Sequence, residues 1–185
     1  MLRWFRFFSH WPLWALHVLG VAGGWLAWLF SPTYRRRMGA NARQAGLGWR
    51  TLVGAVGQAG RMSAELPRLW LGQTPSVVWA DAQAAADAYA LGQGVLFLTP
   101  HMGCFEITAQ ALAARFGAQY GPLTVLYRPA RQAALGEVMA LARNRPGLQA
   151  VPTNLSGVRQ MIKALRAGQA VGLLPDQVPP EGMGV

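Results

Sequence analysis

The chain has 185 residues, of which 52% are hydrophobic and 13% charged, with 17 Lys and Arg against 7 Asp and Glu. That length suits one domain of ordinary size with an appendage, and the apolar fraction excludes a disordered polyelectrolyte. A single cysteine excludes a disulfide scaffold and any multi-cysteine zinc or iron–sulfur site, and a pI near 11.4 points to an acidic partner: nucleic acid, phospholipid headgroups or an acidic carrier protein.

The charge is uneven along the chain. Residues 1–68 hold nine Arg and one acid, Glu65, together with six of the eight tryptophans. Between Trp11 and Phe30 runs a stretch without a formal charge, WPLWALHVLGVAGGWLAWLF. As a helix it is about 30 Å long, the hydrocarbon thickness of a bilayer, and Trp near both ends fits an interfacial belt. Ser31-Pro32-Thr33-Tyr34 makes a poor cleavage site for a signal peptide, and a buried globular helix would leave the flanking arginines and tryptophans unexplained. The expectation is a membrane anchor over residues 1–34, either spanning or lying deep in one leaflet. Arg35, Arg36, Arg37 and Arg43 follow it, against Arg3 and Arg6 before it, a modest positive-inside bias that puts the body of the protein in the cytoplasm.

Residues 35–75 read as a helical connector at the membrane surface, closed near Pro67 and Pro75. From residue 76 to 185 strands and helices alternate. Val95–Thr99 is an apolar run stopped by Pro100, and Ile107–Phe116 is a helix closed by Gly117. Leu123–Tyr127 is a second strand, Gln132–Arg143 a helix, and Leu148–Val151 a third strand. Leu155–Ala167 is a helix capped by Asn154 or Thr153 and ended at Gly168, and Val171–Leu174 is a fourth strand. The fold class is therefore α/β: a mostly parallel sheet flanked by helices, preceded by the anchor helix and the connector.

In such sheets the chemistry sits past the carboxyl ends of the strands. Those positions hold His101 to Glu106 after the first strand, Arg128 and Arg131 after the second, and Asp176 after the last. His10 and His17 lie in or beside the anchor, so His101 is the imidazole available to the body as a base near neutral pH. In a regular helix a five-residue step would turn Glu106 about 140° away from His101. The pair converges if His101 lies in a loop, Glu106 in the first helical turn, and Gly103 makes the tight backbone between them. A carboxylate on the imidazole would fix its tautomer and leave the other nitrogen to take a proton from a hydroxyl. The bland reading, a capping His and a Glu favoured by the helix dipole, stands beside it on spacing alone.

Other chemistries lack their residues. Cys104 is a possible nucleophile, though a lone Cys in an apolar run is more often inert packing. No GxSxG elbow, Walker loop or GxGxxG is present, and the body is too sparse in His, Cys and carboxylates for a metal site. Nucleic-acid binding fits poorly, since the positive charge concentrates beside the apolar stretch.

His101-Met102-Gly103-Cys104-Phe105-Glu106 has the HxxxxE form of the HxxxxD/E membrane acyltransferases. More closely, the chain resembles the bacterial lipid A biosynthesis lauroyl/myristoyl acyltransferases. LGQGVLFLTPHMGCFE, VLYRPAR, RNRPG and IKALRAGQAVGLLPDQ stand in the order of that family's strand, HFGNWE, YRP, Arg-and-Gly turn and DQ segments. Met102 and Cys104 replace the commoner Phe and Asn, a change of pocket shape more than of chemistry. The family text continues past the DQ segment, so the chain is expected to be a C-terminally truncated piece.

The resemblance implies transfer of a fatty acyl chain from acyl carrier protein to a hydroxyl of a lipid A precursor at the inner membrane, with the catalytic body on the cytoplasmic side. It implies His101 as base, Glu106 orienting it, and Arg128, Arg145 and Asp176 in a substrate-binding shell that meets phosphate or the developing oxyanion. No cofactor, metal or nucleic acid is implied; the partners are the acyl carrier thioester, the lipid A precursor and membrane lipids. Two alternatives stay open: an acyltransferase for another membrane glycolipid or lysophospholipid, and a non-catalytic anchored protein that binds anionic lipid.

Overall fold

A computed structural model describes residues 1–73, 75–127, 130, 133–143 and 145–176. The chain divides into two compact units, Arg3–Gln73 and the part from residue 74 onward.

The first unit is helical: α1 (Leu2–Ser9), α2 (Leu13–Phe30), α3 (Pro32–Gln44) and α4 (Trp49–Leu71). Its breaks are written in the sequence. Pro12 stands in extended conformation ahead of α2. Ser31 caps α3, its Oγ accepting from Tyr34 N at 3.3 Å, with Pro32 preset at the first helical position. α2 and α4 run antiparallel and touch backbone to backbone at glycines. A Cβ on Gly24 would lie 2.6 Å from the Val56 carbonyl oxygen, and one on Gly60 would collide with the carbonyl of Gly20. α4 departs from the expectation that Pro67 closes it, because the helix runs through Pro67 to Leu71. An interior proline costs about 3 kcal/mol. The last turn offsets this by burying Leu69 and stacking Trp70 on Phe5, centroids 5.8 Å apart.

The second unit holds α5 (Gln83–Ala90), β1 (Val95–Leu98), α6 (Glu106–Tyr120), β2 (Leu123–Tyr127), α7 (Ala133–Arg143), β3 (Leu148–Pro152), α8 (Leu155–Arg166) and β4 (Ala170–Leu173). Its four strands form a parallel sheet in the order β1-β4-β2-β3. Adjacent strand residues point to opposite faces, so Ala170 joins one core with Tyr89, Leu112, Phe116 and Leu123, while Val171 joins the other with Val151, Met161 and Ala164. Helices thus cover both faces, as continuous apolar strands require.

α6 passes through Gly117 and ends at Gly121, whose φ of 86° supplies the left-handed stop. Gly117 instead permits a close approach, since a Cβ there would lie 3.0 Å from the Cα of Gly147. α8 is capped as its text implies, Asn154 Oδ1 accepting from Gly157 N at 3.0 Å.

Candidate active site

β1 and β4 are neighbours, with Leu98 opposite Leu173, so the loops leaving their carboxyl ends emerge side by side. Thr99 N donates to Leu173 O at 3.0 Å and holds the two exits together. His101 and Asp176, 75 positions apart in sequence, meet there. The imidazole Nδ1 is 2.7 Å from Asp176 Oδ1, and the His101 backbone N–H donates to Asp176 Oδ2 at 2.8 Å. One carboxylate therefore engages the residue twice, fixing the ring and the loop that carries it.

Sequence reasoning gave the orienting carboxylate to Glu106 and a place in the substrate shell to Asp176. The structure puts Asp176 on the Nδ1 side of the ring. The reason is topological: strand order makes β1 and β4 adjacent, which no spacing within residues 101–106 reveals. The Asp176 carboxyl is held below the usual carboxylate range, first by the hydrogen bond from the imidazole and next by that from the His101 backbone. The pair is open to solvent, with 29% and 39% of its side-chain surfaces accessible.

Gly103 takes φ 59° between His101 and Glu106, the left-handed turn that lets the loop feed straight into α6. Phe105 packs against the imidazole edge to face, centroids 4.8 Å apart. Glu106 opens α6, where the helix dipole favours a carboxylate. Its charge acts on Arg143, helping to keep that guanidinium protonated against burial, which pulls the other way. Arg143 lies over the Tyr127 ring at 4.3 Å from its centroid. Arg143 was missed in the sequence because a basic residue in the last turn of a helix reads as an ordinary dipole partner.

The remaining expected residues are placed as follows. Arg128 lies outside the described residues. Arg145 stands in the turn leading into β3, with its carbonyl accepting from Leu148 N at 3.1 Å, and Leu148 pairs with Leu123 at the start of β2. Its backbone is therefore at the amino end of the strands, opposite to His101 and Asp176, and burial lowers the pKa of its guanidinium. Cys104 is a partly buried thiol. Among the described residues, no group of three or more His, Cys, Asp or Glu is arranged to hold a metal ion.

Beside the His101 loop lies an apolar cavity of about 370 Å³, whose lining includes Thr99, Phe105, Ala111, Val125, Gly172 and Leu174. A second cavity of about 490 Å³ is lined by Tyr127, Met139 and Arg143 among others. An apolar pocket beside a paired imidazole can seat a hydrocarbon chain while its polar end reacts. A half-buried guanidinium over an aromatic ring can receive an anionic group.

The family model described as bacterial lipid A biosynthesis acyltransferase matches residues 64–185. Comparison with individual curated proteins gives no match.

Proposed function

The chain belongs to the bacterial lipid A biosynthesis acyltransferases, and from that premise we propose the finer reaction: transfer of a fatty acyl group from a thioester on acyl carrier protein to a hydroxyl of a lipid A precursor at the cytoplasmic face of the inner membrane. The observation that carries the catalytic reading is the two-point bond between His101 and Asp176.

With Nδ1 donating its proton to Asp176, Nε2 is the nitrogen that receives the acceptor's hydroxyl proton. The alkoxide oxygen attacks the thioester carbonyl as that proton leaves. The tetrahedral intermediate collapses with cleavage of the carbon–sulfur bond, and the departing thiolate takes the proton back from Nε2. Asp176 stabilises the transient imidazolium. Glu106 adds a second negative charge near the base and holds Arg143 for an anionic group of donor or acceptor, and Arg128 is proposed to contribute to the same phosphate shell. The cavity beside Phe105 seats the acyl chain. α2 is long and apolar enough to cross a membrane by length and composition, and the excess of arginine around it suits anionic headgroups and an acidic carrier protein.

The test is an assay of membranes containing the chain, with a longer parent carrying this sequence run in parallel. They are supplied with acyl carrier thioester and a lipid A precursor, and the lipids are read by mass spectrometry. The proposal expects a product heavier by one acyl group, and none from His101→Ala. A His101→Ala protein that still makes the product would remove the base, and acylation of a lysophospholipid in preference to the precursor would move the substrate.

A further inference from the structure

The proposed membrane attachment leaves its topology open, and the geometry of residues 3–73 bears on it. We propose that this unit is a monotopic hairpin: α2 and α4 lie together in one leaflet of the bilayer, and neither crosses it. The inference rests on the membrane reading above and goes beyond it.

α4 accompanies α2 along its length. Gly24 faces Val56, Gly20 faces Gly60 and Ala64, and His17 Nε2 is 2.7 Å from Glu65 Oε1. Arg68 Nη1 donates to the Trp11 carbonyl at 3.0 Å, and Gly72 abuts the Ser9 carbonyl. Whatever depth α2 occupies, α4 occupies too. A single crossing by α2 with α4 outside would tear these glycine contacts apart.

α4 is a poor companion for a crossing. Arg50, Arg61, Glu65 and Arg68 recur at offsets that place them on one stripe of the helix. Each charge at the bilayer centre costs about 2.5–3.5 kcal/mol on an insertion scale. Glu65 and Arg68 on that stripe are met by His17 and the Trp11 carbonyl, and a helix that carries the remaining arginines lies in the interface plane instead.

The arginines give an independent argument. Arg3, Arg6 and Arg68 gather at one end of the hairpin. Arg35, Arg36, Arg37, Arg43 and Arg50 gather at the other, where Arg35 Nη1 caps α2 through the Leu29 carbonyl at 3.0 Å. The single acid of the unit, Glu65, is engaged by His17. Basic flanks are retained on the cytoplasmic side. A crossing hairpin strands one cluster on the far side, whereas a hairpin within one leaflet keeps both.

The partner is thus a lipid surface. Trp14, Val18, Leu26, Leu29 and Phe30 of α2 are exposed, Phe30 by 80%. An apolar cleft of about 660 Å³ between the helices, with Leu19, Gly23, Ala27, Ala59 and Met62 in its wall, gives an acyl tail somewhere to lie.

Three single-cysteine proteins test this: His10→Cys, Gln44→Cys and Gln73→Cys, each in a Cys104→Ser background. All three positions are exposed, at the base, the far turn and the exit of the hairpin. Spheroplasts producing each protein are treated with a membrane-impermeant maleimide, intact or after lysis. The hairpin predicts that all three react only after lysis. Reaction of Gln44→Cys alone in intact cells would show a crossing hairpin, and reaction of His10→Cys alone a crossing by α2; either overturns the proposal. So does a site that reacts only in detergent, since that places it in the hydrocarbon. Sedimentation before labelling separates a failure of membrane binding from a failure of topology.

Discussion

At the scale of residues, two carboxylates compete for the role of orienting His101. If Asp176 holds the tautomer, Asp176→Asn loses kcat by about 10²–10⁴, with the acceptor's KM little changed. Glu106→Gln, acting through Arg143, raises KM and lowers kcat less. Steady-state kinetics of the two variants decide, and the reverse ranking returns the orienting role to Glu106. The pH dependence has a definite sign. Asp176 has a depressed pKa, so its contribution is complete above the ordinary carboxylate value of 3.8 and is lost only as pH falls through the lower folded value. An acid limb in the rate between about pH 5 and 8 therefore does not come from Asp176. Cys104→Ser separates base catalysis from a covalent acyl-cysteine: direct transfer predicts near-normal turnover, and an inactive but folded protein would mean that the thiol carries the acyl group. His101 was legible because it stood at a strand end with no other imidazole in the body of the chain. Its link to Asp176 was not, because two residues 75 positions apart are joined only by strand order.

Elements were legible where sequence and packing agree. β2 spans Leu123–Tyr127 as read, because a short apolar run bounded by glycine and proline has one good use in a two-faced sheet. Gly117 and Pro67 misled, since both are local stop signals that close packing overrides. α1 and α5, at 8 residues each, were too short to be read as separate elements. One residue of β2 breaks the local rules: Thr124 is fully buried, and its Oγ1 finds no hydrogen-bond partner among the described residues. A buried hydroxyl of that kind costs about 1–3 kcal/mol. Thr124→Val should raise the denaturation midpoint of the sheet-bearing unit by the equivalent of about 1 kcal/mol, and a fall would mean that the hydroxyl has work in the native state. The α2–α4 register has its own test. A Cβ on Gly57 would lie 3.7 Å from Val21 Cγ2, so Val21→Cys with Gly57→Cys should form a crosslink under mild oxidation. Adding Gly60→Leu should abolish it, because no side chain fits against the Gly20 carbonyl.

At the scale of the whole molecule, the sequence suggested an anchor over residues 1–34 and a separate helical connector, because charge-free text ends at Phe30. The structure gathers residues 3–73 into one unit, since α4 supplies the surface against which α2 packs. That changes what a truncation should do. Removing residues 1–34 takes away α2 but leaves α4, exposing Val56, Gly60 and the face that lay against the lost helix. An uncovered apolar helix face of this kind drives self-association. Removing residues 1–73 takes both helices and eight of the net positive charges together, and leaves a unit with its own two-faced core. The shorter deletion should therefore pellet in the absence of any membrane, as aggregate, while the longer one stays in the supernatant and no longer binds anionic vesicles. Sedimentation of both proteins with and without vesicles reads the difference. A soluble protein lacking residues 1–34 would mean that α4 does not need α2 to cover it, and the paired-helix account of this unit would fall.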